Sequence, residues 1–316
     1  MKSLIISALA LCGAMVAKAQ PAGGFGGFQM PEVKMEYSEK FADIDYVGDD
    51  QVYHKLDIYL PKEKKDKYPV VVHIYGSAWF SNNSKGMADL GTIVQALLNA
   101  GYAVVTPNHR SSSDAKYPAQ IHDIKAVLRF VRGEAAKYKF DTSFIATSGF
   151  SSGGHLASLA ATTSGTAKEK VGAVEIDLEG SLGKYTSQSS KVDAACDWSG
   201  PIDLLCMDCG GPVTMPMSPE AALLGCEVPG NEDTYRSLSP ITYIDENDPP
   251  LIIFHGTDDN VVPPCQGLKL YNMLKMGKVK TDITVVEKGG HGMNMYTEEN
   301  LNKMVGFLNE AREAKK

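Results

Sequence analysis

The chain has 316 residues, of which 43% are hydrophobic and 22% charged, with a formal net charge of −7. That composition is ordinary for a soluble globular protein with a large core, and one domain with insertions is enough to account for the length. The acidic balance disfavours nucleic acid and other polyanions as partners.

At the start, Met1-Lys2, the apolar run from Leu4 to Val16 and Ala17-Lys18-Ala19 predict a secretory signal over residues 1–19, cleaved before Gln20. The run is too short to span a bilayer as a mature helix, so no transmembrane segment is expected. Cys12 is preceded by Leu11, larger than the small residue a lipid-anchor site requires, so plain cleavage and a periplasmic or secreted enzyme are expected. Cleavage removes Lys2 and Lys18 but no acid, which moves the formal charge from −7 to −9. Residues 20–35, rich in Gly, Phe and Pro, have no period and read as a flexible lead-in whose Phe25 and Phe28 can dock on the domain that follows over 36–316.

Residues 41–46 and 52–60 alternate apolar and polar side chains, as half-buried antiparallel strands do, with Gly48-Asp49-Asp50 turning between them. The pattern then changes to continuous apolar runs over 69–75, 102–106, 144–147, 192–198, 251–254 and 283–286. Helical stretches at 87–100, 119–138, 153–162, 266–276 and 298–315 separate most of them. This alternation predicts an α/β fold, a mostly parallel sheet with an antiparallel N-terminal strand pair and helices on both faces. Residues 163–191 and 203–248 are insertions with little period, and loops of that length in a compact domain usually line a site.

The chain is organised around Gly149-Phe150-Ser151-Ser152-Gly153, which follows an apolar strand and opens a helix of small residues. As bare letters G-x-S-x-G is weak, since a Gly-rich turn gives the same pattern. In this context it is an elbow that lifts Ser151 clear of the sheet, with glycine two places either side because neighbouring atoms come too close for side chains. The first turn of the helix behind it leaves N–H groups unpaired, among them that of Ser152, placed to receive a developing oxyanion.

A serine hydroxyl needs an imidazole to take its proton and a carboxylate to fix that imidazole's tautomer. His255-Gly256-Thr257-Asp258-Asp259 follows one apolar run, and Gly289-Gly290-His291-Gly292 follows the last. Loops at the carboxyl ends of parallel strands converge, so Ser151, Asp259 and His291 are the candidate triad in the order Ser, Asp, His. His291 is the only histidine after Asp259; His54, His73, His109, His122, His155 and His255 all precede the acid and are expected to be structural. No spacing among them suggests a metal site and no phosphate-cradling loop is present, so no cofactor or metal is expected.

Residues 50–310 resemble an α/β-hydrolase of the carboxylesterase type, in the bacterial feruloyl and acetyl esterase-like group. The resemblance is carried by Leu56-Asp57-Ile58-Tyr59-Leu60-Pro61, Tyr117-Pro118-Ala119-Gln120 with Asp123, the elbow through Ala157, Gly200-Pro201-Ile202-Asp203-Leu204, and His255-Gly256 with Asp259, Val262 and Pro263. In similar proteins the acid stands four residues after the histidine of the His-Gly pair, which implies Asp259 over Asp258. The family usually has H-G-G-x-W after its third strand, with main-chain amides there forming the oxyanion hole. This chain has Tyr75-Gly76-Ser77-Ala78-Trp79 instead, so Ser77 and Ala78 stand where the amide donors are expected beside Ser152.

The resemblance, with export, implies removal of acetyl or feruloyl groups from plant polysaccharides. Tyr75, Trp79, Phe80 and Tyr117 are candidate stacking surfaces for a sugar or phenolic acid, with Trp198 either site or core, and no long apolar lid is evident to hold a fatty chain. A serine peptidase of the prolyl oligopeptidase type, an arylformamidase and a carbohydrate-binding relative without catalysis are the alternatives. The first is expected to carry a large β domain in front, for which this chain has too little sequence there; export argues against the second, and the intact triad argues against the third. Five cysteines remain after residue 19, an odd number. A bridge is expected between Cys206 and Cys209, or from one of them to Cys226, with Cys196 a buried free thiol.

Overall fold

In the computed structural model of the chain the described residues are 35–210 and 218–316; the expected signal segment and the lead-in before residue 35, with Phe25 and Phe28, lie outside them. In chain order the regular elements are β1 (Glu39–Asp45), β2 (Lys55–Leu60), β3 (Tyr68–Ile74), α1 (Gln95–Asn99), β4 (Ala103–Pro107), α2 (Ala119–Gly133), α3 (Ala135–Tyr138), β5 (Phe140–Phe150) and α4 (Ser152–Thr162). Then come β6 (Lys168–Val171), β7 (Val174–Asp177), β8 (Ala194–Trp198), α5 (Pro219–Leu224), α6 (Glu232–Leu238), β9 (Leu251–Gly256), α7 (Cys265–Met276), β10 (Thr281–Val286) and α8 (Glu298–Glu313).

Eight strands form one sheet in the order β1-β2-β4-β3-β5-β8-β9-β10. β2 runs antiparallel to both its neighbours, and every other adjacent pair from β4 onward is parallel. The continuous apolar runs have a direct cause in this arrangement. Along β3, Val70, Val72 and Ile74 face one core with α2 and α4, while Val71 faces a second core that holds Leu97 of α1 and Met304 and Leu308 of α8. A strand covered on both sides has no polar face to alternate with. Burying each such side chain contributes about 1.5–3 kcal/mol of transfer free energy.

α4 is the element that brings the elbow against the sheet, and all of its residues are buried. Gly153, Gly154, Ala157, Ala160 and Ala161 let its backbone lie close to β3, β5 and β8, which larger side chains would prevent.

Several boundaries differ from the sequence reading. The second expected strand begins with a single 3-10 turn over Val52–His54, and the helix expected at 87–100 is a π-helical turn, Leu90–Val94, leading into α1. The two insertions also carry regular structure: β6 and β7 pair as a two-stranded hairpin, and α5 and α6 stand in the second insertion. The hairpin is largely solvent-exposed on both faces, so burial imposes little apolar alternation on it.

Candidate active site

Ser151 sits between β5 and α4 with φ 55° and ψ −123°, a conformation costly for a non-glycine residue. The surroundings over-determine it. Its N–H donates to the Trp198 carbonyl at 2.8 Å and its carbonyl accepts from the His155 N–H at 3.0 Å. A Cβ on Gly149 would stand 2.1 Å from the Gly153 carbonyl oxygen, and one on Gly153 would stand 2.1 Å from that of Ile74, so both positions exclude any side chain.

Asp259 lies on the loop after β9 and His291 on the loop after β10. The two loops press together: a Cβ on Gly256 would be 2.1 Å from the Gly289 carbonyl oxygen, and the Asp258 N–H donates to that same oxygen at 2.9 Å. This contact brings His291 Nδ1 to 2.8 Å from Asp259 Oδ2 and His291 Nε2 to 2.9 Å from Ser151 Oγ. With Asp259 ionised, Nδ1 carries the proton and Nε2 is left to accept from the serine hydroxyl. Burial works to raise the Asp259 carboxyl, but the His291 hydrogen bond and charge, with the Val262 and Val261 amides, outweigh it and hold the carboxyl below its ordinary value. The loop is fixed from beneath by His255, whose Nε2 donates to the Val262 carbonyl at 2.8 Å. Asp258 is exposed and accepts from the Thr257 hydroxyl at 3.0 Å instead of facing the imidazole.

The loop after β3 bears on the elbow from the other side. A Cβ on Gly76 would meet the Phe150 carbonyl oxygen at 2.7 Å and Ser151 Cβ at 2.8 Å, which explains the glycine there. Ala78 and Trp79 take the left-handed conformation, φ 50° and 59°. The Ser77 amide does not stand free, as the resemblance implies it should: it donates to the Ser152 hydroxyl at 2.9 Å. Ala78 and Ser152 line the cavity beside Ser151, so their amides and the Ser152 hydroxyl are the candidate donors for the oxyanion.

Ser151 opens into a cavity of about 350 Å³ whose wall is mostly apolar, formed by Ala78, Trp79, Pro201, Met207, Pro219, Val261, Val262 and Pro263, with Ser152, Asp208, Ser218 and Glu220 as polar members. Of the aromatic residues proposed to meet substrate, Trp79 alone lines this cavity, and its ring, otherwise buried, stands edge-on to His155 at 5.1 Å. Tyr75 is buried, stacked on His109 at 4.9 Å, with its hydroxyl donating to the Ser81 carbonyl at 3.0 Å. Tyr117 is packed into the core and donates to the Ser237 carbonyl at 2.8 Å. Both tyrosines are therefore framework, not substrate contacts. Phe80 is exposed but outside the cavity wall, and Trp198 is core, stacked on Phe254 at 3.9 Å.

The remaining histidines are engaged away from Ser151, His54 with Asp49, His73 with Asp89, His109 with the Arg110 carbonyl, His122 with that of Asp177 and His155 with that of Leu238. Among the described residues no group of three His, Cys, Asp or Glu side chains is arranged to hold a metal ion. The expected bridge within 206–226 is corrected: Cys209 is bonded to Cys265, and Cys206 and Cys226 are free, as is buried Cys196. The insertion folds back over the start of α7, where Gln266 donates to the Cys206 and Met207 carbonyls at 2.9 Å each and accepts from the Ile202 and Asp203 amides, which puts Cys209 beside Cys265. Met207, Asp208, Ser218 and Glu220 were not foreseen as lining residues; the length of the insertion was the only signal of them.

The BD-FAE family model matches residues 56–274. The chain is similar to the "Probable carboxylic ester hydrolase LipM" of Mycobacterium tuberculosis, 30% identical over 81% of this chain and 57% of the relative, so it spans just over half the length of that protein. Among solved structures it is similar to a truncated form of a carbohydrate esterase from gut microbiota (44% identity, TM-score 0.85, 88% of this chain and 97% of that one). It is also similar to a bifunctional GH43-CE protein of Bacteroides eggerthii (50% identity, TM-score 0.82, 86% of this chain and 38% of that one). With the eight-stranded sheet and the elbow, these matches place the chain in the BD-FAE family, among the α/β-hydrolase esterases of the carbohydrate esterase-like group.

Proposed function

We propose that the protein is a serine carboxylesterase that acts outside the cytoplasm and removes acetyl or feruloyl groups from plant polysaccharides through an acyl-enzyme. The observation that carries this reading is the hydrogen-bonded line from Asp259 through His291 to Ser151, with contacts of 2.8 and 2.9 Å, at the wall of the cavity. Ser151 Oγ attacks the ester carbonyl as its proton passes to His291 Nε2, and Asp259 steadies the imidazolium. The carbonyl oxygen becomes an oxyanion facing the Ser152 and Ala78 amides. Collapse releases the alcohol, which takes its proton from His291, and water attacks the acyl-enzyme by the same route in reverse. The carbohydrate esterase neighbours support a sugar ester as substrate, and Trp79 offers an aromatic wall beside the nucleophile.

The test is a screen of acetylated xylo-oligosaccharides beside methyl ferulate, with Ser151→Ala as control. At least one of the two should be deacylated with Ser151 required, and rates on simple esters should fall steeply from acetyl to octanoyl. Hydrolysis of simple acetates with neither sugar nor feruloyl ester touched, or fastest turnover of long chains, would overturn the carbohydrate reading.

A further inference from the structure

The cavity beside Ser151 is lined by two carboxyl groups that the hydrolytic line does not use: Asp208, which is exposed and accepts from the Gly210 amide, and Glu220, which is buried. Glu220, in the first turn of α5, is 7% exposed and lines the same wall as Trp79, Met207 and Pro219. The side chain that bears on it is Ser218, whose hydroxyl oxygen already accepts the Ala221 amide at 3.1 Å, so the hydroxyl proton is free to turn to the carboxylate. It has no ion pair among the described residues, and burial pushes the carboxyl above its ordinary value, with only the Ser218 hydroxyl and its own amide working against that. A carboxylate offers about four acceptor positions. Leaving most of them unmet in an apolar cavity is costly unless a bound molecule supplies donors.

We propose that Glu220 determines specificity: its carboxylate accepts a hydrogen bond from a hydroxyl on the alcohol part of the substrate and turns away esters that carry a negative charge near the scissile bond. This rests on Ser151 being the nucleophile of an esterase. A neutral polyhydroxy alcohol satisfies the carboxylate, an alcohol without hydroxyls leaves it unpaired, and an anion is repelled at short range across a medium of low dielectric.

Two substrate pairs read the two halves of the proposal without requiring a sugar: 4-acetoxybenzoate against phenyl acetate for charge, and glycerol 1-acetate against propyl acetate for hydroxyl recognition. Glu220→Gln, which keeps size and hydrogen-bonding capacity, should raise the kcat/KM ratio of the anionic to the neutral aryl ester about tenfold. Glu220→Leu should raise it similarly and also lower the ratio of glycerol acetate to propyl acetate about tenfold, mainly through KM. An unchanged aryl ratio in Glu220→Gln, whose fold is checked by its unfolding midpoint, overturns the charge role. An unchanged alkyl ratio in a folded Glu220→Leu, or in Glu220→Ala should the leucine variant not fold, overturns hydroxyl recognition. If the wild type cleaves these simple esters but no acetylated xylo-oligosaccharide, the polysaccharide reading fails while both ratios still judge Glu220.

Discussion

Ser151 differs from the chain's other serines in what its neighbours hold in place, and each neighbour can be tested alone. Ser151→Ala and His291→Ala should each lower kcat by roughly three to six orders of magnitude, and Asp259→Asn by somewhat less, because amide substitution leaves the imidazole in place but in the wrong tautomer. Asp258→Asn should be mild, since that carboxylate meets Thr257 and solvent. A larger loss from Asp258→Asn than from Asp259→Asn would move the acid by one residue. The Ser152 hydroxyl is a second test. It accepts the Ser77 amide at 2.9 Å, so its own proton is available to a substrate oxygen. Ser152→Ala should therefore lower kcat about tenfold with a smaller change in KM, less than the loss of a full oxyanion donor because the Ser77 amide is released to take part of its place. A rise in kcat would mean that the hydroxyl obstructs the Ser77 amide instead of extending it.

The elbow works as a unit with β3 and α4, and its glycines are steric requirements. Gly153→Ala places a methyl carbon 2.1 Å from a main-chain oxygen of β3, which no rotamer change can relieve. It should destabilise the fold by about 1–3 kcal/mol or more and misplace Ser151, seen as a lower urea midpoint together with a loss of kcat. His155 in α4 gives this unit an acid limit. Burial lowers its pKa from 6.5 to about 4, with the Leu238 carbonyl working weakly the other way. Between those values the unfolded chain binds a proton that the native chain does not, so stability is full above about pH 6.5 and is lost progressively as pH falls toward 4, by about 3 kcal/mol. His155→Gln keeps an N–H for Leu238 and should flatten that slope in urea midpoints measured across the range. The parallel strands, α4 and the elbow are legible in the sequence because burial on both faces leaves continuous apolar runs and close packing leaves glycines at fixed offsets. Other features leave no such trace. α5 and α6 have six and seven residues, too few to establish a helical period. Tyr75 and Tyr117 sit in motif loops either way, and only the placement of their hydroxyls at the Ser81 and Ser237 carbonyls separates core from site.

For the molecule as a whole, the catalytic line and the cavity wall have different origins. Ser151, Asp259 and His291 stand at the ends of sheet strands, while Met207, Asp208 and Glu220 come from an insertion that the described residues hold to the sheet domain at several points. Among them are the Cys209–Cys265 bridge, the hydrogen bonds of Gln266 to residues 202–207, the Lys269–Asp203 ion pair, the Tyr117 amide on the Leu223 carbonyl and its hydroxyl on that of Ser237, and His155 on the Leu238 carbonyl. The pairing was not legible because Cys206, Cys209, Cys226 and Cys265 allow several connectivities, and the fold-back of the insertion over α7 chooses among them. A bridge across 56 residues removes chain entropy from the unfolded state worth up to about 4 kcal/mol in the loop-closure view. The double variant Cys209→Ser with Cys265→Ser should therefore unfold at a lower urea concentration, and the wild type should approach it when reductant is added. Because the bridge joins the insertion that supplies Met207 and Asp208 to a point two residues past Pro263 of the cavity wall, its loss should loosen the wall more than the hydrogen-bonded triad. KM for short esters should rise several-fold while kcat falls less. If kcat collapses with KM unchanged, the bridge holds the Asp259 loop rather than the wall; if reductant alters neither stability nor kinetics, the bridge contributes nothing to either.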